Sequence, residues 1–164
     1  MAAVGGATNS MTPARRAYFS RREIERWAAY RDMPIMRGIP TRHANDITLP
    51  NTMLIAAAEQ GCDMDAFAFA MMQAHWRDDA DLAHPATLAR IARSVQLDPE
   101  PLLARAASAD VGDIYERNTQ AAIARPMCGS PTYVVGGDMF YGQDRLELVA
   151  RALTEPFPDT WPRD

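Results

Sequence analysis

The run Gly129-Ser130-Pro131-Thr132-Tyr133-Val134-Val135-Gly136-Gly137-Asp138-Met139-Phe140-Tyr141-Gly142-Gln143-Asp144-Arg145 carries the one clear sheet signal in the sequence. Thr132-Tyr133-Val134-Val135 and Asp138-Met139-Phe140-Tyr141 are β-prone runs, rich in the branched and aromatic side chains that suit a pleated surface. Gly136-Gly137 between them is a two-residue link that takes the positive φ of a tight hairpin turn. Directly afterwards Gly142-Gln143-Asp144-Arg145 opens a helix whose apolar positions Leu146, Val149, Ala150 and Leu153 recur at helical spacing. Residue by residue this is a turn, a hairpin and a capped helix. Two strands alone do not usually stand in water, so the hairpin needs helix cover or additional strands. No third strand is evident.

Upstream the pattern is helical. Ala17, Ile24, Trp27 and Ala28 fall at helical intervals within 12–31, with Pro13 where a first turn tolerates a missing N–H, so one helix is expected there. Residues 33–49 hold Pro34, Gly38, Pro40, Asn45 and Asp46 without a period and read as an irregular connection. A helix follows from about Pro50 to Gln60, ended by Gly61. Met64, Phe67, Ala68 and Met71, and after Pro85 Leu88, Ile91, Ala92 and Val95, repeat at i, i+3, i+4 and i+7 and predict two amphipathic helices joined by a charged loop at 77–83. Asp98-Pro99-Glu100 is an N-cap followed by proline at the first helical position, opening a short helix to about Ala107. A longer one runs from about Asp110 to Arg125, and the proline-rich end from Glu155 reads as a tail.

The chain has 164 residues, about one domain's worth, with 48% hydrophobic and 23% charged residues, which excludes disordered, collagen-like and coiled-coil classes. Seventeen basic against 21 acidic residues give a formal charge of −4, so no basic footprint for nucleic acid or anionic lipid is present. Cys62 and Cys128 have neither CxxC nor zinc-site spacing and read as free thiols, which suits a reducing cytoplasm. No apolar run is long enough to span a bilayer, and the first residues make a poor signal peptide. The protein is expected to be soluble and cytoplasmic.

The ordered set of residues resembles the DsbA-like thioredoxin superfamily, and within it the 2-hydroxychromene-2-carboxylate isomerases, which are similar to kappa-class glutathione transferases. The block from Gly129 to Leu153 carries the resemblance most specifically. Arg16-Ala17-Tyr18 with Trp27, Leu49-Pro50-Asn51-Thr52, His75-Trp76, Leu97-Asp98, Asn118-Thr119 and Ala121-Ala122 support it. The resemblance implies a helix-rich α/β, thioredoxin-like fold with a helical insertion. It divides the chain into a pocket loop at 1–12, a helical insertion domain at 13–125, a C-terminal thioredoxin-like hairpin and helix at 126–154, and a tail at 155–164. The family's first strand-helix-strand unit, whose helix starts with the nucleophilic serine, has no counterpart here. A βαβ unit takes about 30 residues or more, so the expectation is an N-terminally truncated form with no catalytic residue of its own.

By the same resemblance the cofactor is glutathione. The Ser130-Pro131 bond is cis in the family, although residues alone favour trans. Ser130 is then expected to pair through its backbone with the cysteinyl part of the tripeptide, as an added strand would. Tyr141, Gly142, Gln143 and Asp144 are expected around the γ-glutamyl end, where helix N–H groups favour a carboxylate. Asp144 both caps the helix and accepts from the glutathione ammonium. Asn9 and Asn51 are the expected substrate-binding residues, Asn51 also being placed to cap a helix. The implied reaction interconverts 2-hydroxychromene-2-carboxylate and trans-o-hydroxybenzylidenepyruvate by reversible thiol addition, bond rotation and elimination. A homodimer is implied, with no nucleic acid or membrane partner and no metal. The other reading is a non-catalytic glutathione-binding or assembly protein. A disulfide oxidoreductase is disfavoured by the missing CxxC. His43, His75 and His84 have no helical metal-ligand spacing, and the ten methionines read as adaptable packing.

Overall fold

Helix boundaries in the computed structural model, which describes residues 12–158 except Ala17, Phe19 and Ser20, follow from local capping chemistry more than from apolar period. The segment expected as one helix is present as two, α1 (Pro13–Arg16) and α2 (Arg22–Tyr30). Then come α3 (Thr48–Glu59), α4 (Met64–Trp76), α5 (Pro85–Ser94), α6 (Pro99–Ala106) and α7 (Ala109–Ile123). β1 (Thr132–Val135), β2 (Asp138–Tyr141), a 3-10 turn (Gln143–Arg145) and α8 (Leu146–Thr154) complete the order.

The start of α3 is set by Asp46, whose Oδ1 accepts from the Thr48 N–H at 3.0 Å and hydroxyl at 2.8 Å. Asp63 and Asp98 cap α4 and α6 through the Ala66 and Glu100 N–H groups. Three helices end alike. The residue after the C-cap is left-handed, Asp32 (φ 52°), Gly61 (φ 69°) and Gln96 (φ 64°), and the next N–H reaches back to the carbonyl five residues earlier, at Ala28, Ala57 and Ala92.

The chain divides into a helical unit ending at Asn118 and a second unit running on from Thr119. In the helical unit the apolar stripes of four helices close one core. Met53, Ala56 and Ala57 of α3, Phe67, Met71 and Ala74 of α4, Leu88, Ile91 and Ala92 of α5, and Leu102 and Ala106 of α6 are all buried together. Arg105 ties the edge of this core, donating to Glu59 of α3 at 2.9 Å and to Asp110 of α7 at 3.1 Å.

In the second unit β1 and β2 form an antiparallel hairpin pairing Thr132 with Tyr141, Tyr133 with Phe140, Val134 with Met139 and Val135 with Asp138. Gly136 (φ 60°) and Gly137 (φ 99°) make the turn, both in the positive-φ conformation that a two-residue loop demands. One face, with Tyr133 and Phe140, is half-buried, and Phe140 lies 6.0 Å from the Phe157 ring, which the Arg151 guanidinium of α8 covers at 4.3 Å. The opposite face leaves Val134 and Met139 about two-fifths exposed (40% and 38%) and Tyr141 more so. No described helix is long and apolar enough to cross a membrane.

Candidate functional site

The hairpin's open end concentrates the residues with binding chemistry. The Ser130-Pro131 bond is cis. The Pro131 carbonyl is taken by the Gly142 N–H at 3.0 Å, one step beyond the last strand pair. Exposed Ser130, next in line, has neither backbone group bonded to another described residue. The Thr132 hydroxyl donates to the Gly129 carbonyl and fixes the approach to this edge. An N–H and a C=O on an exposed edge are what an extended peptide pairs with as an added strand.

Two glycines allow the surrounding side chains to close in. A Cβ on Gly129 would stand 3.1 Å from Cε2 and 3.3 Å from the hydroxyl of Tyr141, so the phenol ring lies directly on the Gly129 backbone. Gly142 has φ 107°, and a Cβ there would collide with Oδ1 of Asp144. The Asp144 carboxylate is thereby held against the Gly142 backbone, with Oδ2 accepting from the Arg145 guanidinium at 2.8 Å. The edge of Ser130, the ring of Tyr141 and the carboxylate of Asp144 thus belong to one end of one hairpin. Their chemistry is a strand edge for peptide backbone, an aromatic hydroxyl and a carboxylate for an ammonium group.

Asp144 does not cap the helix. Gly142 is the N-cap of the 3-10 turn that contains Gln143 and Asp144, α8 follows from Leu146, and neither start has a side-chain cap. The carboxylate turns sideways to Arg145 because the 3-10 turn occupies the place where a capping side chain would reach back. Asn51 is no cap either. It is the fourth residue of α3, half-buried, and the capping oxygen comes from Asp46 upstream. It belongs to the helical unit and makes no side-chain hydrogen bond with another described residue. Asn9 lies outside the described residues.

A second cluster went unseen in the sequence because its members are far apart along the chain. His43 Nδ1 lies 3.0 Å from His75 Nε2, and His75 Nδ1 lies 3.2 Å from the Ala80 carbonyl. Beside it Asp81 is held below the usual carboxylate range, chiefly by the hydrogen bond from Asn45 and then by the Ala83 N–H. Asp78 is lowered by Arg77, and Asp46 by the Thr48 hydroxyl and N–H. Cys62 is half-buried and Cys128 exposed, both as thiols. Among the described residues no three His, Cys, Asp or Glu side chains converge on a metal position.

Comparison with known proteins follows the same lines. The family described as DsbA-like thioredoxin domain matches residues 1–154. Among solved structures, that of selenomethionine 2-hydroxychromene-2-carboxylate isomerase superposes with a TM-score of 0.72 over 93% of this chain and 73% of that one. At 21% identity the likeness is one of fold. No curated protein matches significantly.

Proposed function

Because the chain belongs to the DsbA-like thioredoxin domain family, we propose that it serves a glutathione-dependent isomerisation of the 2-hydroxychromene-2-carboxylate type, in the breakdown of aromatic compounds. One observation carries this reading: the exposed, unpaired backbone of Ser130 beside cis Pro131, with Asp144 fixed at the same hairpin end. The two features suit the two polar parts of a γ-glutamyl tripeptide, a peptide backbone and an ammonium group.

On this reading Ser130 pairs with the cysteinyl backbone of glutathione, and Asp144 accepts from the γ-glutamyl ammonium. Tyr141, Gly142 and Gln143 line that end, the absence of a Cβ at Gly142 leaving room for the carboxylate. Glutathione, when bound, supplies the thiol that adds reversibly to the substrate. Arg145 holds the Asp144 carboxylate sideways, so the acceptor is oriented before the ligand arrives. Asn9 and Asn51 are assigned to the aromatic substrate. The protein is placed in the cytoplasm as a homodimer. Family membership alone leaves the chemistry open, since related folds also serve oxidoreductases.

The test is calorimetric. Glutathione is expected to bind saturably, and Asp144→Ala to weaken it by about tenfold through loss of a charge-assisted hydrogen bond. Equal affinity of the variant removes Asp144 from the site, and no binding by either protein removes the reading. Conversion of 2-hydroxychromene-2-carboxylate is expected only with glutathione present. Binding without conversion would make the protein a glutathione binder only.

A further inference from the structure

Away from the hairpin, the connection between α2 and α3 is stitched to the end of α4 and to the turn after it by alternate side chains. Thr41 donates its N–H to Oδ1 of Asp79 at 2.6 Å and its hydroxyl to Oδ2 at 2.9 Å. His43 meets His75 at 3.0 Å. The Asn45 amide donates to both oxygens of Asp81, at 3.0 and 3.1 Å. The ends of the segment are fixed separately, by the Met36 N–H on the Trp76 carbonyl at 2.8 Å and by Asp46 capping α3.

The outer contacts rest on carboxylates, and Asp81 is held below the usual carboxylate range for the reasons given above. The central contact rests on two imidazoles. A carbonyl oxygen has no proton to give, so Nδ1 of His75 is the donor toward Ala80, and Nε2 is the atom presented to His43. Between the facing nitrogens there is room for a single hydrogen. With the His75 proton on Nδ1, the neutral pair has His43 Nδ1–H pointing into the lone pair of His75 Nε2. One added proton is compatible with this arrangement, because an imidazolium donates to a neutral imidazole. A second proton leaves no lone pair to accept, and it places two cations in rings stacked 5.3 Å apart with His43 also against Trp76 at 5.1 Å.

The charged groups around the pair come from both sides. Asp79 and Asp81 lie on the turn, with Asp78 tied to Arg77 and influenced by Arg90. Arg42, on the histidine's own segment, and His84 act on Asp81. None of these groups supplies an acceptor between the two facing nitrogens.

We propose that the His43–His75 contact is a proton-operated latch, which ties the middle of the segment at 37–45 to the end of α4 while the pair carries at most one added proton and frees that middle, between the Thr41–Asp79 and Asn45–Asp81 contacts, when both rings are protonated. The open state binds more protons than the closed one, so acidification favours it.

Amide hydrogen exchange on the whole chain tests this. After correction for intrinsic rates, the His43 and Asn45 amides, bonded to the Pro40 and Arg42 carbonyls, are expected to exchange about tenfold faster near pH 5 than near pH 8, with α3 to α5 amides unchanged. His43→Asn should abolish the difference, and His84→Asn should leave it. Equal protection at both pH values overturns the latch, as does a difference that survives in His43→Asn or vanishes in His84→Asn. The unmutated chain gives an independent check from ring-proton resonances. Coupled titration of His43 and His75, with the Asn45 amide following the second step, supports the latch, and two independent steps without any amide response refute it.

Discussion

From α3 to α6 the chain encloses Met53, Phe67, Leu88 and Leu102 completely, whereas from Thr119 onward Ala152 is the one buried hydrophobic side chain among the described residues. The helical unit is held by interdigitated apolar side chains, the hairpin unit by backbone devices: a cis proline, two positive-φ glycines in its turn, a third at Gly142, and the Thr132 hydroxyl on Gly129. The groups proposed for recognition lie in the second kind of structure. Packing sets stability over large areas, while a binding edge has to keep backbone groups and a carboxylate uncovered. In this DsbA-like thioredoxin fold the two demands are met in different stretches of sequence.

Substitution of one aromatic in each region probes that contrast most strongly. Phe67→Ala is expected to cost about 3–5 kcal/mol, since the ring has no solvent exposure and the four-helix core cannot collapse around the void. Phe140→Ala, half-buried against Phe157, should cost about half as much. Urea unfolding followed by circular dichroism measures both, and equal costs would erase the distinction. Gly142→Ala comes next, at about 1–3 kcal/mol, because φ 107° is unfavourable for any side chain and the new Cβ meets the Asp144 carboxylate. Its diagnostic mark is loss of glutathione affinity with the α3 to α6 amide spectrum unchanged. A spectrum altered throughout would mean that the hairpin supports the helical core.

Weaker effects follow from charge and from helix ends. Asp46, Asp78 and Asp81, all in or beside the helical unit, are held below the ordinary carboxylate range by hydrogen bonds. A carboxyl lowered on folding stabilises the native state above its unfolded pKa of about 3.9, and that contribution is lost as pH falls through the lower folded value. Stability is therefore expected to fall below about pH 4, less steeply in Asp81→Asn. Gln96→Gly is expected to change stability least, raising it by up to about 1 kcal/mol, since glycine takes the left-handed position after α5 without strain. A thermal melt that shows a loss would mean that the exposed Gln96 side chain contributes more than its backbone costs.

Legibility in the sequence followed the same divide between periodic packing and local geometry. The α4 and α5 stripes, the Asp98-Pro99 start of α6 and the Gly136-Gly137 hairpin were readable because each rests on neighbours in sequence. The sequence places the beginning of α3 two residues late because proline usually takes the first helical position, whereas Pro50 is the third residue of a helix whose first N–H is held by Asp46. Asp144 read as a cap from its place before an apolar helix. An intervening 3-10 turn changed its direction. The ring of Tyr141 on Gly129 required the hairpin register, and the His43–His75 contact joins residues 32 apart, a separation to which no local rule applies.

Titration of the uniformly 15N-labelled chain with reduced glutathione bears most directly on where recognition resides. Saturable shifts centred on the Ser130, Tyr141, Gly142 and Asp144 amides, with α3 to α6 unmoved, are the expected result. Shifts confined to α3 to α6, or none at any glutathione concentration, would contradict the assignment of binding to the hairpin.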